Sequence, residues 1–512
     1  IYADTSSLTA PAVGLVTSEF QNSAHFSSAW YYNNSYEGLT NLPNEISQVT
    51  LENTYPILQG LTVNNGILEI EHAVDFVYMN ELLLVSGYFR SSHYQIVADI
   101  DMNRVSREAY QAASVGFNGT LSSSLNSPTS ILYARNGNQG GDILYHTILN
   151  LKIESASQVG NFSSYALFTS FFGRIENINF VNYQITTSDL EDQVVKTKVV
   201  VGAIAGLMSN GQIENVHVQG NISVTSTVDP MTRLYVGGLV GEGSGSISKA
   251  STNGILSQGL QYYAAKSDYS STGGIVGKSS NITLDSILNN NQMTGLGYHA
   301  SNTATYYIGG IVGYGRVNTM NKIVNSGYIY STSTSGFMGT VYAGGIIGMQ
   351  TNQMGSVSQV FNEGNVDVIE NQVFNMTLAG YGFIDGSLKD IDSDFVFYSL
   401  TNTGRLRLVQ PSGTSYTEVE LAQMNVNVAG VVIADSIDGE FYGLFNESDF
   451  AIDLALLSQY AGVINLRNTN ESTIIQSYNT GNITLTTLNL LTHATVKISG
   501  NTLGQNINFV NW

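Results

Sequence analysis

Short apolar runs, separated by glycine and small polar residues, recur at a nearly constant interval through the middle of the 512-residue chain. The runs are rich in Val and Ile and are bounded by Gly, Asn and Ser, a pattern typical of β-strands rather than helices. A Gly-Gly-apolar-apolar-Gly motif begins at Gly237, Gly273, Gly309 and Gly344, with a degenerate copy at Gly202. Successive copies start 35 or 36 residues apart. A fixed period of this length indicates one structural unit stacked on itself.

Each interval holds three short strands and one longer polar loop, which predicts an all-β fold in which every interval is one coil of a β-solenoid. The paired glycines are expected where the chain bends sharply or another backbone comes close. These structural glycines are Gly237, Gly238, Gly273, Gly274, Gly309, Gly310, Gly344 and Gly345. The isoleucines that follow them, Ile275, Ile311 and Ile346, should stack in the interior. A β-propeller with blades of about 40 residues is the alternative, but no aromatic signature marks each blade.

The hydrophobic pattern divides the chain into three parts. Residues 1–68 lack the repeat and are predicted to be an irregular N-terminal β extension. Residues 69–105 are predicted to be a capping segment with a short helix, best placed at Val74–Val85, and an entry strand; such a cap protects an open strand edge. Residues 106–512 are predicted to form the solenoid of roughly 35-residue coils. The step from Gly380 to Gly430 is longer, which indicates an insertion in that coil.

Composition narrows the class of protein. Only 11% of residues are charged and the net charge is −20, so nucleic acid and anionic membranes are poor partners. The chain has no cysteine, which excludes a disulfide scaffold. No apolar run reaches the length of a transmembrane helix, and direct membrane insertion is not expected. Low charge with abundant Asn, Ser, Thr, Gly and Tyr predicts an extracellular protein, secreted or at a bacterial cell surface. Because Ile1 is not a start residue, we expect a processed or excised product.

The repeat also resembles a known family. The Gly-Gly-Ile-Val-Gly units, with the Asn-x-Gly-x-Ile strands that follow them, are similar to the GLUG repeat of bacterial surface proteins. The preceding stretch resembles the usual entry to such arrays, through Asp99-Ile-Asp101, Phe117 to Leu121 and Ala166-Leu-Phe168. The resemblance covers roughly residues 70 to 485 and implies a right-handed parallel β-helix. The family includes cell-wall adhesins and the non-catalytic region of IgA1-cleaving zinc metalloproteases, so it implies no single function.

This sequence departs from the family pattern in two places. Thr169 stands where the entry pattern usually has glycine, and Val431 and Val463 stand in place of the second glycine in the late copies. The resemblance therefore leaves the register of the C-terminal coils open.

Motifs for catalysis are missing from the sequence. Gly273 to Ser279 imitates a phosphate-binding loop, but it is one residue short and a strand, not a helix, should follow it. The seven histidines include no His-Glu-x-x-His, and no Gly-x-Ser-x-Gly elbow occurs. The sequence predicts no enzymatic activity for this chain alone and no certain cofactor.

One group of carboxylates is dense enough to bind a cation. Asp390, Asp392 and Asp394 would share one face of a strand. Like charges this close repel unless they are solvated or neutralised by a cation such as Ca²⁺. A solvated outer face is the favoured interpretation, a Ca²⁺ site is the second, and a pair of catalytic carboxylates for glycan cleavage is the third.

Tyrosine is unusually frequent, with 30 residues. Tyr235, Tyr307 and Tyr342 each stand two residues before a double glycine and should stack from coil to coil. A packing ladder on the solenoid wall is favoured over an aromatic stripe for glycan or protein contact.

The variable loops are the predicted recognition surface. Loops 257–271, 296–306 and 330–341 leave equivalent places in successive coils and are rich in Tyr, Ser, Thr and Asn. Within them, Tyr262, Tyr263 and Tyr298 are the candidate ligand-binding residues.

Three functions compete. The first is a non-enzymatic surface module, which could be an adhesin, a stalk or a scaffold, and which binds a host or bacterial surface protein or glycan. Such a module could also associate with itself or contact other domains of a larger surface protein. The second is an accessory, non-catalytic region of a surface zinc metalloprotease. The third is a β-helical polysaccharide-degrading enzyme, which the scarcity of Lys and Arg argues against. Fold alone does not decide among them.

Overall fold

Parallel strand pairing dominates the computed structural model of the chain. The structure describes residues 61, 63–104, 112–123, 145–160, 162–187, 198–226, 233–260, 269–297, 305–333, 339–353, 356–369, 375–386, 395–409, 425–435, 439–453, 458–467, 472–481, 483–486, 495–497 and 507–511. Four two-residue strands precede these ranges: Ala3–Asp4 pairs with Gly14–Leu15 and Trp30–Tyr31 pairs with Ile57–Leu58. Thirty-seven strands in the described part join one sheet.

The sheet begins with a hairpin and a helix. Val63–Asn64 pairs antiparallel with Ile67–Ile70, which then pairs in parallel with His93–Ile96. Between them lies the helix Ala73–Val85, where a helix was predicted, followed by a short helix at Gly87–Arg90. The buried side chains of the longer helix, Phe76, Met79 and Leu82 among them, join the main core. Parallel pairing therefore starts before residue 95, next to the helix that covers it.

The remaining entry elements are short. They are the strands Ile100–Asp101, Gly116–Phe117, Thr120–Ser123, Thr147–Leu149, Lys152–Ile153 and Ser157–Val159 and the 3₁₀ helix Met102–Arg104. Thr120–Ser123 pairs in parallel both with His93–Ile96 and with the start of Arg174–Thr187. The entry segment is thus built into the same parallel stack as the repeats.

Each later coil has a strand before the double-glycine corner and strands after it. The strands before the corner are Phe162–Tyr165, Lys198–Gly202, Arg233–Gly237, Tyr269–Gly273, Thr305–Gly309, Thr340–Gly344 and Asn375–Ala379. Those that begin after it are Phe168–Phe171, Arg174–Thr187, Ala205–Ser226, Val240–Leu260, Val276–Gly297, Val312–Asn325, Ile347–Gln353 and Gly382–Asp385. In the late coils Asn425–Asp435 and Ser458–Arg467 run through the corner.

From the middle of the stack onward, separate strands replace the long strand that follows the corner in the earlier coils. The first of them lies directly after the corner, as Ile347–Gln353 does, and the next two form what we call the second and third sides of the coil. The second side continues through Ser356–Asn362, Phe395–Asn402, Gly439–Asn446, Ser472–Asn479 and Ile507–Asn511. The third side continues through Ile329–Ser333, Val366–Ile369, Leu406–Val409, Phe450–Asp453 and Ile483–Thr486, and Thr495–Lys497 pairs with the strand at Ser458.

The core confirms the predicted solenoid. Ile275, Ile311 and Ile346 are buried at the same place in successive coils, and the amide N–H of each of the first two donates to the carbonyl of the next. The strand Val276–Gly297 follows the phosphate-loop imitation, so the helix that a phosphate site requires is absent there. None of the helices in the described ranges is long and apolar enough to cross a membrane.

A buried column of asparagines, the asparagine ladder, runs inside the coils. Its members are Asn289, Asn325, Asn362, Asn402, Asn446 and Asn479. Each side-chain amide donates to the side-chain oxygen of the next over 2.6–2.9 Å, and Thr252 Oγ1 donates to the first at 2.9 Å. A buried amide without a hydrogen-bond partner is costly. The continuous chain of hydrogen bonds avoids this cost, because the asparagine of each coil is the partner of the asparagine in the next.

The ladder explains the second glycine of each corner. A Cβ at Gly310 would meet the Asn325 amide and the Gly345 carbonyl, and a Cβ at Gly345 would meet the amide of Asn362. The double glycine and the Asn-x-Gly motif are therefore two halves of one contact across the coil. Only a residue without Cβ leaves room for the asparagine.

The same contact corrects the predicted register at Val431. At Val463 the prediction agrees with the strand pairing, because Gly462 pairs with Ala429 at the position of the first glycine and Val463 directly follows it. The Tyr381 N–H donates to the carbonyl of Val431, and a Cβ at Gly380 would meet the carbonyl of Gly430 and the Asn402 side chain. Val431 therefore occupies the isoleucine position, not that of the second glycine, which is Gly430. The replaced residue is the first glycine, which is Ala379 and Ala429 in these coils.

A second turn of the coil uses the left-handed backbone conformation at one position per coil. The residues there are Asn177, Asn215, Lys249, Ser286, Lys322, Gln359 and Ser399, with φ between 50° and 61°, and then Gly443 at 67°. Residues other than Gly and Asn carry a small backbone strain in this conformation. The stack thus holds a costly turn in register through many coils.

Candidate functional site

The most distinctive outer surface of the solenoid is a strip beside the double-glycine corner, where side chains from both sides of the corner meet; we name it the outer cleft. Strands before and after the corner meet at an angle, so their outward side chains touch outside the core. In one coil the rings of Tyr307 and Tyr314, on either side of the corner, lie 4.5 Å apart. Together with Tyr342, Met349 and Phe383 they form a hydrophobic cluster separate from the main core.

Strand register defines three rows of residues along the outer cleft. The outermost row, before the corner, contains Phe162, Lys198, Arg233, Tyr269, Thr305 and Thr340. The inner row of the same strands contains Ser164, Val200, Tyr235, Ser271, Tyr307, Tyr342 and Thr377. The row after the corner contains Leu207, Glu242, Lys278, Tyr314, Met349, Phe383 and Ile433.

The predicted tyrosine stack forms only in part. Tyr307 and Tyr342 stack with their centroids 5.3 Å apart and their planes 14° apart. Ser271 occupies the position between Tyr235 and Tyr307, so Tyr235 does not stack on Tyr307. Instead the hydroxyl of Tyr235 donates to that of Tyr269 at 2.8 Å. Tyr235 is fully buried, which fits the favoured packing interpretation, whereas Tyr307 and Tyr342 are partly exposed.

A charged cluster occupies the end of the outer cleft nearer the N-terminus. The Glu242 carboxylate accepts from Lys198 Nζ at 2.5 Å and from Lys278 Nζ at 2.8 Å. Burial alone would raise the pKa of the Glu242 carboxyl, but the hydrogen bonds and charges of both lysines outweigh it and hold that pKa below its usual value. Burial lowers and Glu242 raises the pKa of the Lys278 ammonium, with a net rise. The Glu242 carboxylate and the Lys278 ammonium are therefore charged at neutral pH.

Each cation of this cluster lies over an aromatic ring. Lys198 Nζ is 5.3 Å from the centre of the Phe162 ring, and Lys278 Nζ is 5.0 Å from that of Tyr235. The Arg233 guanidinium, which is exposed, lies 5.5 Å from the centre of the Tyr269 ring. Such contacts position a cation without neutralising it. Two of these positive charges, Lys198 and Lys278, share the Glu242 carboxylate, in a chain whose net charge is −20.

The tyrosines of the outer cleft are poor proton acceptors. Burial raises the pKa of the Tyr235 hydroxyl, and the hydrogen bond with Tyr269 raises it further. Burial also raises the pKa of Tyr307 and of Tyr314. At neutral pH these hydroxyls stay protonated and the lysines stay charged. The arrangement supplies hydrogen-bond donors, ring faces and cations, the groups that bind anionic or sugar-like ligands.

A histidine on a different outer face makes contacts that look catalytic. His217 Nδ1 lies 2.7 Å from Ser251 Oγ, and His217 Nε2 lies 3.3 Å from Asn215 Oδ1. Burial lowers the pKa of His217 to about 4. An efficient general base has a pKa near the working pH, so this imidazole activates a serine weakly at neutral pH. Its hydrogen bonds fit a role in holding neighbouring coils together.

The candidate binding and metal residues lie outside the described residues. They are Tyr262, Tyr263 and Tyr298, and Asp390, Asp392 and Asp394. Within the ranges that the structure does describe, no group of three His, Asp or Glu residues is placed to hold a metal ion. The predicted glycines all lie at the corner.

The strands that flank the variable loops end and begin in register. Gly259 pairs with Leu296 and Gly297 pairs with Ser333, so the three loops leave equivalent places. The strands into which they lead start at Tyr269, Thr305 and Thr340, which pair in turn. Because Tyr269 itself belongs to the outermost row, the loops lead directly into the outer cleft.

Comparison with known proteins adds no name to this surface. Neither a scan of protein-family models nor a search of curated proteins returned a match to the chain. The resemblance to the GLUG repeat therefore rests on the motifs alone.

Proposed function

We propose that the chain is a non-enzymatic module of an extracellular bacterial surface protein, an adhesin or scaffold that binds a glycan or protein along its length. The observation that carries this proposal is the outer cleft, in which aromatic and charged side chains from six consecutive coils form one line. Rigid, partly exposed aromatic rings contribute binding area at a small cost in side-chain entropy. The variable loops lead into strands of the cleft at successive coils, and we predict that they extend the same surface.

The protonation state of the outer cleft supports binding rather than turnover. Elimination or hydrolysis needs a group that accepts a proton near neutral pH. Tyr235, Tyr307 and Tyr314 have raised pKa values, and Lys278 also has a raised pKa. These groups donate hydrogen bonds and carry charge, but they do not abstract protons readily.

A polysaccharide-degrading enzyme is the second candidate, because the structure gathers cations that are scarce in the sequence. Lys198, Arg233 and Lys278 together supply the charge neutralisation that cleavage of acidic sugars requires. Release of unsaturated or reducing ends by the purified chain, lost in Asp392→Asn, would support this candidate and refute the first.

The binding proposal is tested with loop tyrosines. Replacing Tyr262, Tyr263 and Tyr298 by Ser should abolish binding to cells and glycan arrays while Tm stays nearly constant. The matched control is Tyr398→Ser with Tyr442→Ser, a stacked pair 5.1 Å apart on another outer face, which should bind normally. Undiminished binding by the loop variant would contradict recognition through these loops.

A further inference from the structure

The cations of the outer cleft follow the coil repeat. Lys198, Arg233 and Lys278 come from three consecutive coils, one from each. Adjacent coils are separated by the spacing of paired strands, roughly 4.8 Å. Lys198 and Lys278 meet at one carboxylate, and Arg233 lies in the outermost row of the coil between them, so positive charge is gathered over three coils of one surface. A linear polymer that carries repeated negative charge can contact such a surface at more than one point.

The positive charge is arranged to face a ligand. The side chains of Lys198 and Lys278 are 23% and 20% exposed, whereas the Glu242 side chain between them is only 14% exposed. The Glu242 side chain is therefore the least exposed of the three. Lys198 Nζ has further N–H donors for an incoming anion, whereas Lys278 Nζ also has a hydrogen bond with Tyr269. The exposed Arg233 guanidinium keeps its hydrogen-bonding edge available while its face rests on Tyr269.

Aromatic rings continue the same line. Beyond Lys278, the next coils carry the half-buried rings of Tyr307 and Tyr314 and then of Tyr342. Sugar rings present apolar C–H faces that pack on aromatic rings, and hydroxyl groups that accept from tyrosine. A peptide or a polyphosphate has no such repeated faces, so the aromatic part of the cleft favours a saccharide as the polymer.

We propose that the outer cleft binds an acidic polysaccharide chain whose uronate carboxylates pair with Lys198, Arg233 and Lys278 while its following sugars lie on the tyrosines. This inference rests on the proposed binding function and gives it a ligand class. We infer that the anionic group of the ligand is a carboxylate because Lys198 and Lys278 already bind one, donating to the two oxygens of Glu242.

The experiment measures binding of the full chain to immobilised polygalacturonate, with a neutral glucan, a sulfated glycan and polyglutamate as comparison probes. We expect polygalacturonate to bind most tightly, and its binding to weaken when salt rises from about 0.05 M to about 0.5 M, because charge pairs are screened. Arg233→Gln should weaken it about tenfold, the effect of one lost charge-assisted hydrogen bond.

The control is Arg407→Gln, which removes the same charge from an exposed position on the third side of the coil. It should leave binding within about twofold. Arg233 is exposed, so its variant should fold; an unchanged circular-dichroism spectrum and Tm will check this.

Three results would overturn the inference. They are equal binding of the neutral glucan, tighter binding of polyglutamate or of the sulfated glycan than of polygalacturonate, and equal losses in Arg233→Gln and Arg407→Gln. If cell binding persists and depends on the loop tyrosines while polygalacturonate does not bind, the ligand class is wrong and the surface function stands. If the chain does not bind cells at all, the proposed function itself is wrong, whatever the result with polygalacturonate.

Discussion

Removing one rung of the asparagine ladder should destabilise the solenoid more than any surface change. Asn362 lies in the middle of the ladder: its amide donates to Asn402 Oδ1 at 2.7 Å and to the Gly364 carbonyl at 3.0 Å. Its own oxygen accepts from Asn325 Nδ2 at 2.9 Å. Asn362→Ala breaks all three bonds, and the partner atoms are buried away from water.

The cost follows from the groups left without partners. Asn402 Oδ1 and the Gly364 carbonyl lose a donor, and Asn325 Nδ2 keeps only a long bond of 3.4 Å to the Gly327 carbonyl. At about 1–3 kcal/mol for each unsatisfied buried group, two such groups cost about 2–6 kcal/mol. The matched control is Asn375→Ala, since Asn375 is exposed and its bond to Thr340 is long, at 3.4 Å. The control should cost less than about 0.5 kcal/mol.

Urea unfolding followed by circular dichroism, with amide hydrogen exchange resolved by coil, measures both variants. Exchange is needed because stacked repeats unfold in parts. Exchange should increase most in the coils around residues 325–402. The double variant Asn362→Ala with Asn402→Ala should cost less than the sum of the single variants, because the two residues share a bond. A loss of stability in Asn362→Ala no larger than that in Asn375→Ala would refute the argument.

Three further predictions concern other positions. Gly310→Val should lower Tm far more than Lys322→Ala, because a Cβ at Gly310 would meet the Asn325 side chain; equal Tm values would contradict the contact. Burial lowers the pKa of His217 to about 4, so as pH falls the imidazole is protonated in the unfolded chain before it is protonated in the folded chain. The free energy of unfolding should therefore fall between about pH 6.5 and about pH 4, by at most about 3 kcal/mol. His217→Gln should lose this part of the pH dependence in urea titrations. Glu242 has a lowered pKa, so its ion pairs should stabilise the fold above pH 4.5 and be lost as pH falls below it; Glu242→Gln should flatten the acid limb of Tm against pH, and an unchanged acid limb would show that the lysines do not hold the carboxylate.

The features that recur at a fixed position of the repeat could be predicted from the sequence. Ile275, Ile311 and Ile346 are buried as predicted, and the double glycines lie where a Cβ would meet neighbouring atoms. Outside the repeat, the helix predicted from a local apolar run is present at Ala73–Val85. The late register was harder, because Ala379 and Ala429 replace the first glycine and shift the visible motif by one residue. The hydrogen bond between Tyr381 and Val431 and the pairing of Ala379 with Ala429 show the true alignment.

The outer cleft was less accessible to sequence reasoning. Lys198, Glu242 and Lys278 stand at different positions of the repeat, and they meet only because the corner brings two rows together from neighbouring coils. Their spacing in the chain carries no motif. The asparagine ladder, by contrast, had a signal in the recurring Asn-x-Gly, whose asparagine could have been assigned to the interior opposite the double glycine.

Because each coil contributes one position to every row, the length of the outer cleft is set by the number of coils and not by their shape. Duplicating a segment of 36 residues, such as that between Gly273 and Gly309, would add one rung of about 4.8 Å. Deleting a segment would remove one. Both changes preserve the corner glycines and the ladder, so the outer cleft can be lengthened or shortened by one coil at a time. Duplication or deletion of one repeat in the gene would therefore change the length of polymer that the proposed binding surface could contact.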